Sequence, residues 1–408
     1  MEEKQKKYRG RKAVPPQYRR KRPVKKILLI LSAVVLALLV VLAGLYFRQK
    51  SKKEPDNQTT TPPADRVIHL VAGGDVNVTD KTVAAGLKEG GYDYTEVFRD
   101  VLPVLSAGDV TVLNFEGVLS GSTYSSETKA APAELLKALT AAGVDVLQTA
   151  NSYSIYDGLR GLNATLQGVQ AAGMTPLGTY ASNADFDRSG GYIIWEVQGI
   201  KVAMMAFTKG MDGMGLPSGS ENCVNLLYDD YNSTYQKVNT DGITQIVRNA
   251  AAHQPDVMIA LVHWGSEFND QISKSQKKIC AILQEEGVDA IIGTHPHYVH
   301  QMEYDADTGN FIAWSLGDFY GDGETAGTNY SVLLDLEITK DGATGQTKVT
   351  DFSYVPIYLE RGEEGSLRVL RIREAMAAYE NCYLNRVSEA TYQAMRSALS
   401  RIESRING

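Results

Sequence analysis

The chain has 408 residues, of which 43% are hydrophobic and 22% charged, a composition typical of a globular protein with a sizeable core. The formal net charge of -7 is unevenly distributed, because residues 1–26 carry 12 Lys and Arg against 2 acidic residues, and the remaining chain carries a charge of -17. A body that acidic excludes nucleic acid as the expected partner, since neutralising phosphates requires a basic surface.

An uncharged apolar run follows the basic start of the chain. Residues 27–47 are dominated by Leu, Val, Ile and Ala, and a helix needs roughly 20 such residues to cross a bilayer. A secretory signal peptide has a shorter apolar region of about 7–15 residues, so we expect an uncleaved signal anchor, with cleavage near Ala43-Gly44 as the alternative. The basic residues 1–26 then form a cytoplasmic tail, and the body lies outside the cell as that of a single-pass cell-membrane protein.

Residues 48–65 are polar and rich in Pro and Thr, which predicts a flexible linker between the anchor and the body. The three cysteines, Cys223, Cys280 and Cys382, are widely spaced. This spacing excludes a disulfide framework and a zinc knuckle, and leaves one disulfide open.

Helices and strands alternate through the body. The patterns predict helices over 95–105, 133–142, 159–172, 241–252 and 273–286, a hairpin over 191–207, and a long loop on the active face over 208–235. Later strands over 311–315, 331–338 and 349–359 follow one another without helices, and helices are expected over 366–379 and 388–402. This order predicts an α/β fold with a mixed or doubled sheet, a main domain over 66–340 and a C-terminal extension over 341–408 that packs on it.

Five strand-like runs each end on side chains that can bind a metal ion. These side chains are Asp75, Asn114 with Glu116, Asn151, His263, and His295 with His297. Because ligands of α/β sheets gather beyond the carboxyl ends of the strands, this pattern predicts metal-assisted chemistry.

Each strand end also has a simpler interpretation. Asp75 follows two glycines and is compatible with an Asx-turn, and Asp318 is equally compatible with a turn or with the rim of a site. Glu267, four residues after His263, is compatible with holding a ligand or with a plain surface position. Of the remaining histidines, His69 is expected in the core, and His300 stays open.

In order, these segments resemble the CapA family of capsule-synthesis proteins linked to poly-γ-glutamate. The matching stretches are Gly74-Asp-Val-Asn77, Asn114-Phe-Glu-Gly117, Thr149-Ala-Asn151, the glycines Gly168, Gly173 and Gly178, His263-Trp-Gly-Ser-Glu267, Gly293-Thr-His-Pro-His297 with Gln301, and Ser315-Leu-Gly-Asp-Phe319. The resemblance implies a four-layer αββα sandwich like that of the calcineurin-like metallophosphatases. It also implies a membrane-anchored protein that handles an anionic surface polymer together with other membrane components of a capsule-synthesis complex.

The same resemblance implies the roles of individual residues. The metal ligands would be Asp75, Glu116, Asn151, His263, His295 and His297, and an oxygen and imidazole ligand set is compatible with Mn, Fe or Zn. Around them, Asn77, Asn114, Glu267 and Asp318 are the candidate substrate-binding residues, and His297 is also a candidate catalytic residue.

The chain departs from the family at one position. Family members usually have Ala-Asn-Asn-His after the third strand, where the histidine is the expected proton donor, and this chain has Ala150-Asn151-Ser152-Tyr153. Tyr153 is therefore the second candidate catalytic residue, although tyrosine, with a reference pKa of about 10, is a poorer proton donor at neutral pH than imidazole.

Three functions fit this pattern. The first is an enzyme that hydrolyses a cell-surface phosphoester or amide polymer with one or two divalent metal ions. The second is an assembly factor that binds or hands on poly-γ-glutamate without turnover, and its acidic body would need cations to contact a polyanion. The third is a hydrolase that trims peptidoglycan or teichoic acid.

Overall fold

The computed structural model describes residues 24–50, 63–362, 365–382 and 387–408. These described residues fall into two compact units, with the division between residues 61 and 62. Most of the expected cytoplasmic tail, residues 1–23, and most of the expected linker, residues 51–62, lie outside the described residues.

The first unit contains one helix, α1 (Val24–Lys50), in its described part. It covers the expected span over 27–47, and its segment Leu31–Gln49 has a mean hydropathy of 2.3. Large apolar side chains such as Leu36 and Val40 are exposed along it. By length and composition, α1 is able to cross a membrane.

The described strands of the second unit are β1 (Arg66–Asn77), β2 (Leu87–Lys88), β3 (Gly91–Tyr92), β4 (Val110–Glu116), β5 (Val146–Gln148), β6 (Thr175–Leu177), β7 (Ile193–Val197), β8 (Ile200–Thr208), β9 (Val257–His263), β10 (Ala290–Thr294), β11 (Met302–Asp305), β12 (Asn310–Ala313), β13 (Asp318–Tyr320), β14 (Tyr330–Lys340), β15 (Thr347–Arg361) and β16 (Leu367–Arg371). Its described helices are α2 (Asp80–Ala85), α3 (Thr95–Phe98), α4 (Leu102–Leu105), α5 (Ala133–Ala142), α6 (Gly158–Ala171), α7 (Asn183–Ser189), α8 (Thr240–Ala251), α9 (Lys274–Glu285), α10 (Ile372–Glu380) and α11 (Glu389–Ile406).

These strands form two large sheets. The first has the order β16-β15-β14-β1-β4-β5-β6, with β13 paired to β1, and the second has the order β11-β12-β10-β9-β8-β7. In the first sheet β1, β4, β5 and β6 run parallel, and in the second β8, β9, β10 and β12 do so. The carboxyl ends of the central strands of each sheet therefore meet at one edge.

Side-chain alternation along the strands creates four layers. Leu70 of β1 and Met204 of β8 lie in one buried cluster between the two sheets, whereas their neighbours Val71 and Met205 point to the outer faces. The outer face of the first sheet is covered by helices including α5, and that of the second by α8 and α9. The α/β sandwich implied by the resemblance is confirmed.

Most predicted elements are present, and local chemistry accounts for their ends. The expected hairpin over 191–207 turns at Gln198 and Gly199, whose φ angles of 50° and 71° suit the two-residue turn of a twisted hairpin. Ser273 caps α9 in a reciprocal arrangement with Gln276.

Two helix predictions were wrong. The expected helix over 95–105 is divided into α3 and α4, because Pro103 has no N–H to donate and fits only the first turn of a new helix. The expected helix over 366–379 is preceded by a strand, since residues 367–371 pair with β15 and only the following residues are helical.

Residues 341–408 supply β15 and β16 to the first sheet before α10 and α11.

His69 is not a core residue, because its ring is 42% exposed and is paired with Asp335. Cys223 and Cys280 are buried and free, and Cys382 is exposed and free.

Candidate metal centre

The edge where the two sheets meet brings together the side chains predicted as metal ligands. In the first sheet, Asp75 lies near the end of β1, Glu116 is the last residue of β4, and Asn151 follows β5. In the second sheet, His263 is the last residue of β9, and His295 and His297 follow β10. All six are at most 7% exposed. The contacts that join the sheets here include that of His263 Nε2 with Glu116 Oε1 at 2.6 Å and the hydrogen bond that the His295 backbone N–H donates to Asp75 Oδ2 at 3.1 Å.

One group of ligands consists of Glu116, His263 and His295, whose donor atoms lie within 4.8 Å of one another. The hydroxyl of Thr208, at the end of β8, lies 3.1 Å from His263 Nδ1, which directs Nε2 of the same ring towards Glu116. Within the described residues, the buried Nδ1 of His295 has no hydrogen-bond partner.

A second group consists of Asp75, His297 and Asp318, again within 4.8 Å. His297 Nδ1 lies 2.7 Å from Asp318 Oδ1 and 3.6 Å from Asp75 Oδ2. Asn77 donates to Asp318 Oδ1 at 2.9 Å, so this expected substrate-binding residue also fixes the orientation of Asp318.

The buried amide of Asn114 connects the carboxylates of both groups, and the buried amide of Asn151 holds Asn114. Asn114 is 1% exposed, and its Nδ2 donates to Asp75 Oδ1 at 2.6 Å and to Glu116 Oε1 at 3.2 Å. Asn151 donates to Asn114 Oδ1 at 3.1 Å and accepts from the Tyr153 backbone N–H at 3.0 Å. Asn114 is therefore placed to orient the carboxylates of Asp75 and Glu116 and not to contact a substrate.

The histidine loop adopts a strained conformation. His295 and His297 have φ angles of 91° and 61°, in the left-handed region that non-glycine residues rarely occupy, with Pro296 between them. Such strain typically costs about 1–3 kcal/mol per residue and persists at functional sites.

Glu267 lies at the rim of the site, where its side chain is 45% exposed and its Oε1 is 4.0 Å from His297 Nε2.

Close approach of the two chain segments requires glycine at position 74. A Cβ atom there would lie 1.7 Å from the Gly317 carbonyl oxygen. The same oxygen accepts from the Asp75 backbone N–H at 3.1 Å, so the glycine allows β1 to present Asp75 directly beside Asp318.

Burial controls the protonation of the site. The pKa of Asp75 is raised to about 7, mainly by burial and secondly by the nearby Glu116 carboxylate. Burial also raises the pKa of Glu116 to about 7. Burial lowers the pKa of His263 to about 3 and holds that of His295 well below its usual range. For His297 burial acts to lower the pKa, but the carboxylates around it, Asp318 first, raise it well above the usual value.

These observations fit a divalent cation. Two carboxylates buried side by side are costly without a compensating charge, and within the described residues the buried Nδ1 of His295 also has no hydrogen-bond partner. The donors are carboxylate, amide and imidazole groups, which suit Mn, Fe or Zn. The residues present therefore fit a metal ion. A third set, Glu267, His295 and His297, also lies within 4.8 Å and shares one histidine with each of the two groups.

Metal affinity is expected to rise with pH. Metal binding requires deprotonated ligands, and at pH 6 the raised pKa values keep the carboxyl groups of Asp75 and Glu116 largely protonated. For each ligand that must lose a proton, the metal affinity increases about tenfold per pH unit as long as the pH is below the pKa of that ligand. Competition with a chelator at pH 6, 7 and 8 should therefore show Mn²⁺ affinity increasing steeply from pH 6 to 7. An affinity that does not change over this range would contradict the assigned ligands.

Tyr153 lies at the mouth of the site and is half-buried. Burial, and next the carboxylates of Glu116 and Glu267, raise the pKa of its hydroxyl group far above the usual value. The hydroxyl therefore stays protonated at neutral pH and is a weak acid.

Sequence reasoning missed three residues around the centre. Lys209 follows β8, donates to the Gly265 carbonyl oxygen at 2.8 Å and lies 3.4 Å from His295 Nε2, and the strand-end pattern was sufficient to find it. Phe268 stacks on His297 with ring centroids 5.2 Å apart. Lys129 lies over the Tyr153 ring and belongs to no strand or helix, so no pattern marked it.

A cleft of about 220 Å³ opens onto the centre. Its described lining includes side chains from both ligand groups, Glu116, His297 and Asp318, together with Tyr153 and Glu267. A substrate in this cleft would contact the centre directly.

Comparisons with known proteins agree on one family. A family model described as "Bacterial capsule synthesis protein PGA_cap" matches residues 69–323. The chain is 26% identical to the PGA biosynthesis protein CapA of Bacillus subtilis (strain 168) over 62% of this chain and 64% of that protein. It is 26% identical to the capsule biosynthesis protein CapA of Bacillus anthracis over 67% of this chain and 63% of that protein. The chain thus spans less than two thirds of the length of these relatives.

Among solved structures, a phosphatase from Mycoplasma pneumoniae aligns with a TM-score of 0.43 and 13% identity over 72% of this chain and 94% of that chain.

Proposed function

The chain belongs to the PGA_cap family of bacterial capsule synthesis proteins, and from this membership we propose that it is a membrane-anchored extracellular protein that binds poly-γ-glutamate through divalent metal ions during capsule synthesis or export. The observation that carries the proposal is the pair of buried ligand groups at the junction of the two sheets. They are the part of an acidic body where bound cations would attract a polyanion.

We assign one ion to the group of Glu116, His263 and His295, and a second to the group of Asp75, His297 and Asp318. When bound, such ions supply Lewis acidity at a phosphoryl or carbonyl oxygen. Asn114 holds the carboxylates in place and is itself held by Asn151, and Thr208 orients His263. His297, held by Asp318, faces the cleft where it can orient the substrate.

Binding without efficient turnover is favoured by Tyr153. A general acid works best when its pKa lies near the operating pH, and burial moves the pKa of the tyrosine hydroxyl away from neutrality. The alternative function, metal-dependent hydrolysis of a cell-surface phosphoester or amide polymer, is favoured by the direct opening of the cleft onto the ligand groups.

The test uses the full-length chain in detergent, loaded with Mn²⁺ and mixed with poly-γ-glutamate. We expect the polymer to bind, to be released by a chelator and to keep its length. Shortening of the polymer that stops on chelation would favour the hydrolase. Polymer binding that is unchanged by the chelator would contradict a metal-mediated contact.

The proposed membrane topology has its own test. Cys382 is exposed whereas Cys223 and Cys280 are buried, so a membrane-impermeant maleimide applied to intact cells is expected to label the chain at Cys382. Cys382→Ser should remove the label. Labelling that requires broken cells would place the body on the inner side of the membrane and contradict the topology.

A further inference from the structure

We infer that Lys129 and the ring of Tyr153 form a binding subsite for an anionic oxygen group of the substrate at the mouth of the metal cleft. The inference deepens the proposed function and rests on it only for the identity of the ligand, a carboxylate of a γ-linked glutamate chain.

The backbone fixes Lys129 next to the end of β4. Its carbonyl oxygen accepts from the Val118 N–H at 2.8 Å, and the Ala131 N–H donates to the Val118 carbonyl oxygen at 2.9 Å. Lys129 has a φ angle of 51°. A non-glycine residue held in this region by its neighbours carries strain of the kind retained at functional sites.

The ammonium group is available for a ligand. Lys129 Nζ lies 4.5 Å from the centroid of the Tyr153 ring, a distance at which the ring face attracts a cation. Throughout the part of the chain that the structure describes, this Nζ forms no hydrogen bond and no ion pair. Tyr153 thus positions the charge and leaves its N–H donors free.

The charge of Lys129 is unusual for its place. The described lining of the cleft contains the carboxylates of Glu116, Glu267, Asp318, Asp322 and Glu324, and within that lining Lys129 is the one Lys or Arg. Ions held by the two ligand groups would offset the innermost carboxylates. The charge of Lys129 would then extend the region of positive electrostatic potential from the centre towards the outside of the cleft.

A carboxylate and a phosphate offer the same chemistry to this ammonium, since each presents anionic oxygens that accept its hydrogen bonds. A polymer with one carboxylate per residue could place one carboxylate at the metal centre and a neighbouring one at Lys129. A phosphate ester would bring a single such group.

The experiment measures the affinity of the Mn²⁺-loaded full-length chain for a γ-linked glutamate oligomer and for inorganic phosphate by calorimetry. Lys129→Ala is expected to weaken binding about tenfold, the loss typical of one charge-assisted hydrogen bond. Lys129→Arg should restore most of the affinity. The matched control is Lys277→Ala, because Lys277 is exposed on α9 and is not part of the described cleft lining.

Manganese content is measured on every variant, and Lys129→Ala is expected to retain the wild-type content. Equal affinity of the wild type and Lys129→Ala for both ligands would overturn the subsite, as would loss of manganese from Lys129→Ala or binding of neither ligand by the wild type. If the glutamate oligomer binds and neither ligand distinguishes the two chains, the subsite fails while the proposed function stands. If phosphate binding depends on Lys129 but the glutamate oligomer does not bind, the subsite stands and the proposed function fails.

Discussion

Replacement of His263 with alanine is expected to lower the affinity of the chain for divalent metal by at least about a hundredfold, beyond the 10–100-fold typical of losing a residue that only supports a ligand. His263 is fully buried, and its Nε2 lies 2.6 Å from Glu116 Oε1. Removal of the ring leaves that ligand group with one imidazole and one carboxylate. Competition with a chelator at pH 7.5 measures the affinity, and circular dichroism shows whether the variant is folded.

Three further variants separate loss of a ligand from loss of structure. His263→Gln keeps most of the side-chain volume and should still bind metal far more weakly than the wild type. Thr208→Val removes the hydroxyl that orients His263 and should cause a smaller loss, about tenfold. His69→Ala, at a partly exposed histidine that is paired with Asp335 away from the centre, should bind as the wild type does. Wild-type affinity in folded His263→Ala would contradict the first ligand group.

Tyr153→His is expected to raise the hydrolysis of an alkyl phosphodiester by the Mn²⁺-loaded chain by roughly 10²–10⁴-fold, the usual contribution of a positioned general acid. The physical reason is the pKa of the donor. Burial raises that of the tyrosine hydroxyl far above neutrality, whereas imidazole has a reference value of about 6.5. The Tyr153 backbone is held by Asn151 Oδ1 at 3.0 Å, so the new ring starts from a fixed position beside the centre.

The leaving group provides the control for this second experiment. An aryl phosphodiester releases a stable phenolate and needs little protonation, so its hydrolysis should gain much less from the new histidine. Tyr153→Phe should hydrolyse both esters at the wild-type rate if the hydroxyl transfers no proton. Equal rates for Tyr153→His and the wild type on the alkyl ester, at equal manganese content, would show that the missing donor does not limit turnover.

The sequence was sufficient to predict that these side chains gather at one edge but not which of them are in contact. Asp75, Glu116 and His263 were found because each lies at or near the carboxyl end of a buried strand, and parallel strands place their carboxyl ends at a common edge. Which side chains would pair could not be predicted, since the contact between Glu116 and His263 joins two sheets. It depends on how the sheets pack, and no local pattern encodes this.

Local patterns also failed where two elements follow one another directly. β16 ends at Arg371 and α10 begins at Ile372, so the apolar residues of both appeared as one helix. Only the pairing with β15 distinguishes them. Lys129 shows the same limit at the site, because its place over Tyr153 arises from backbone bonds to Val118 in a segment without periodicity.

Anomalous X-ray diffraction from crystals of the chain grown with Mn²⁺ tests the existence of the metal centre most directly. We expect one anomalous peak among Glu116, His263 and His295, and a second among Asp75, His297 and Asp318. Crystals that contain Mn²⁺ in solution but show no peak at the junction of the two sheets, with Glu116 and His263 still in mutual contact, would contradict it.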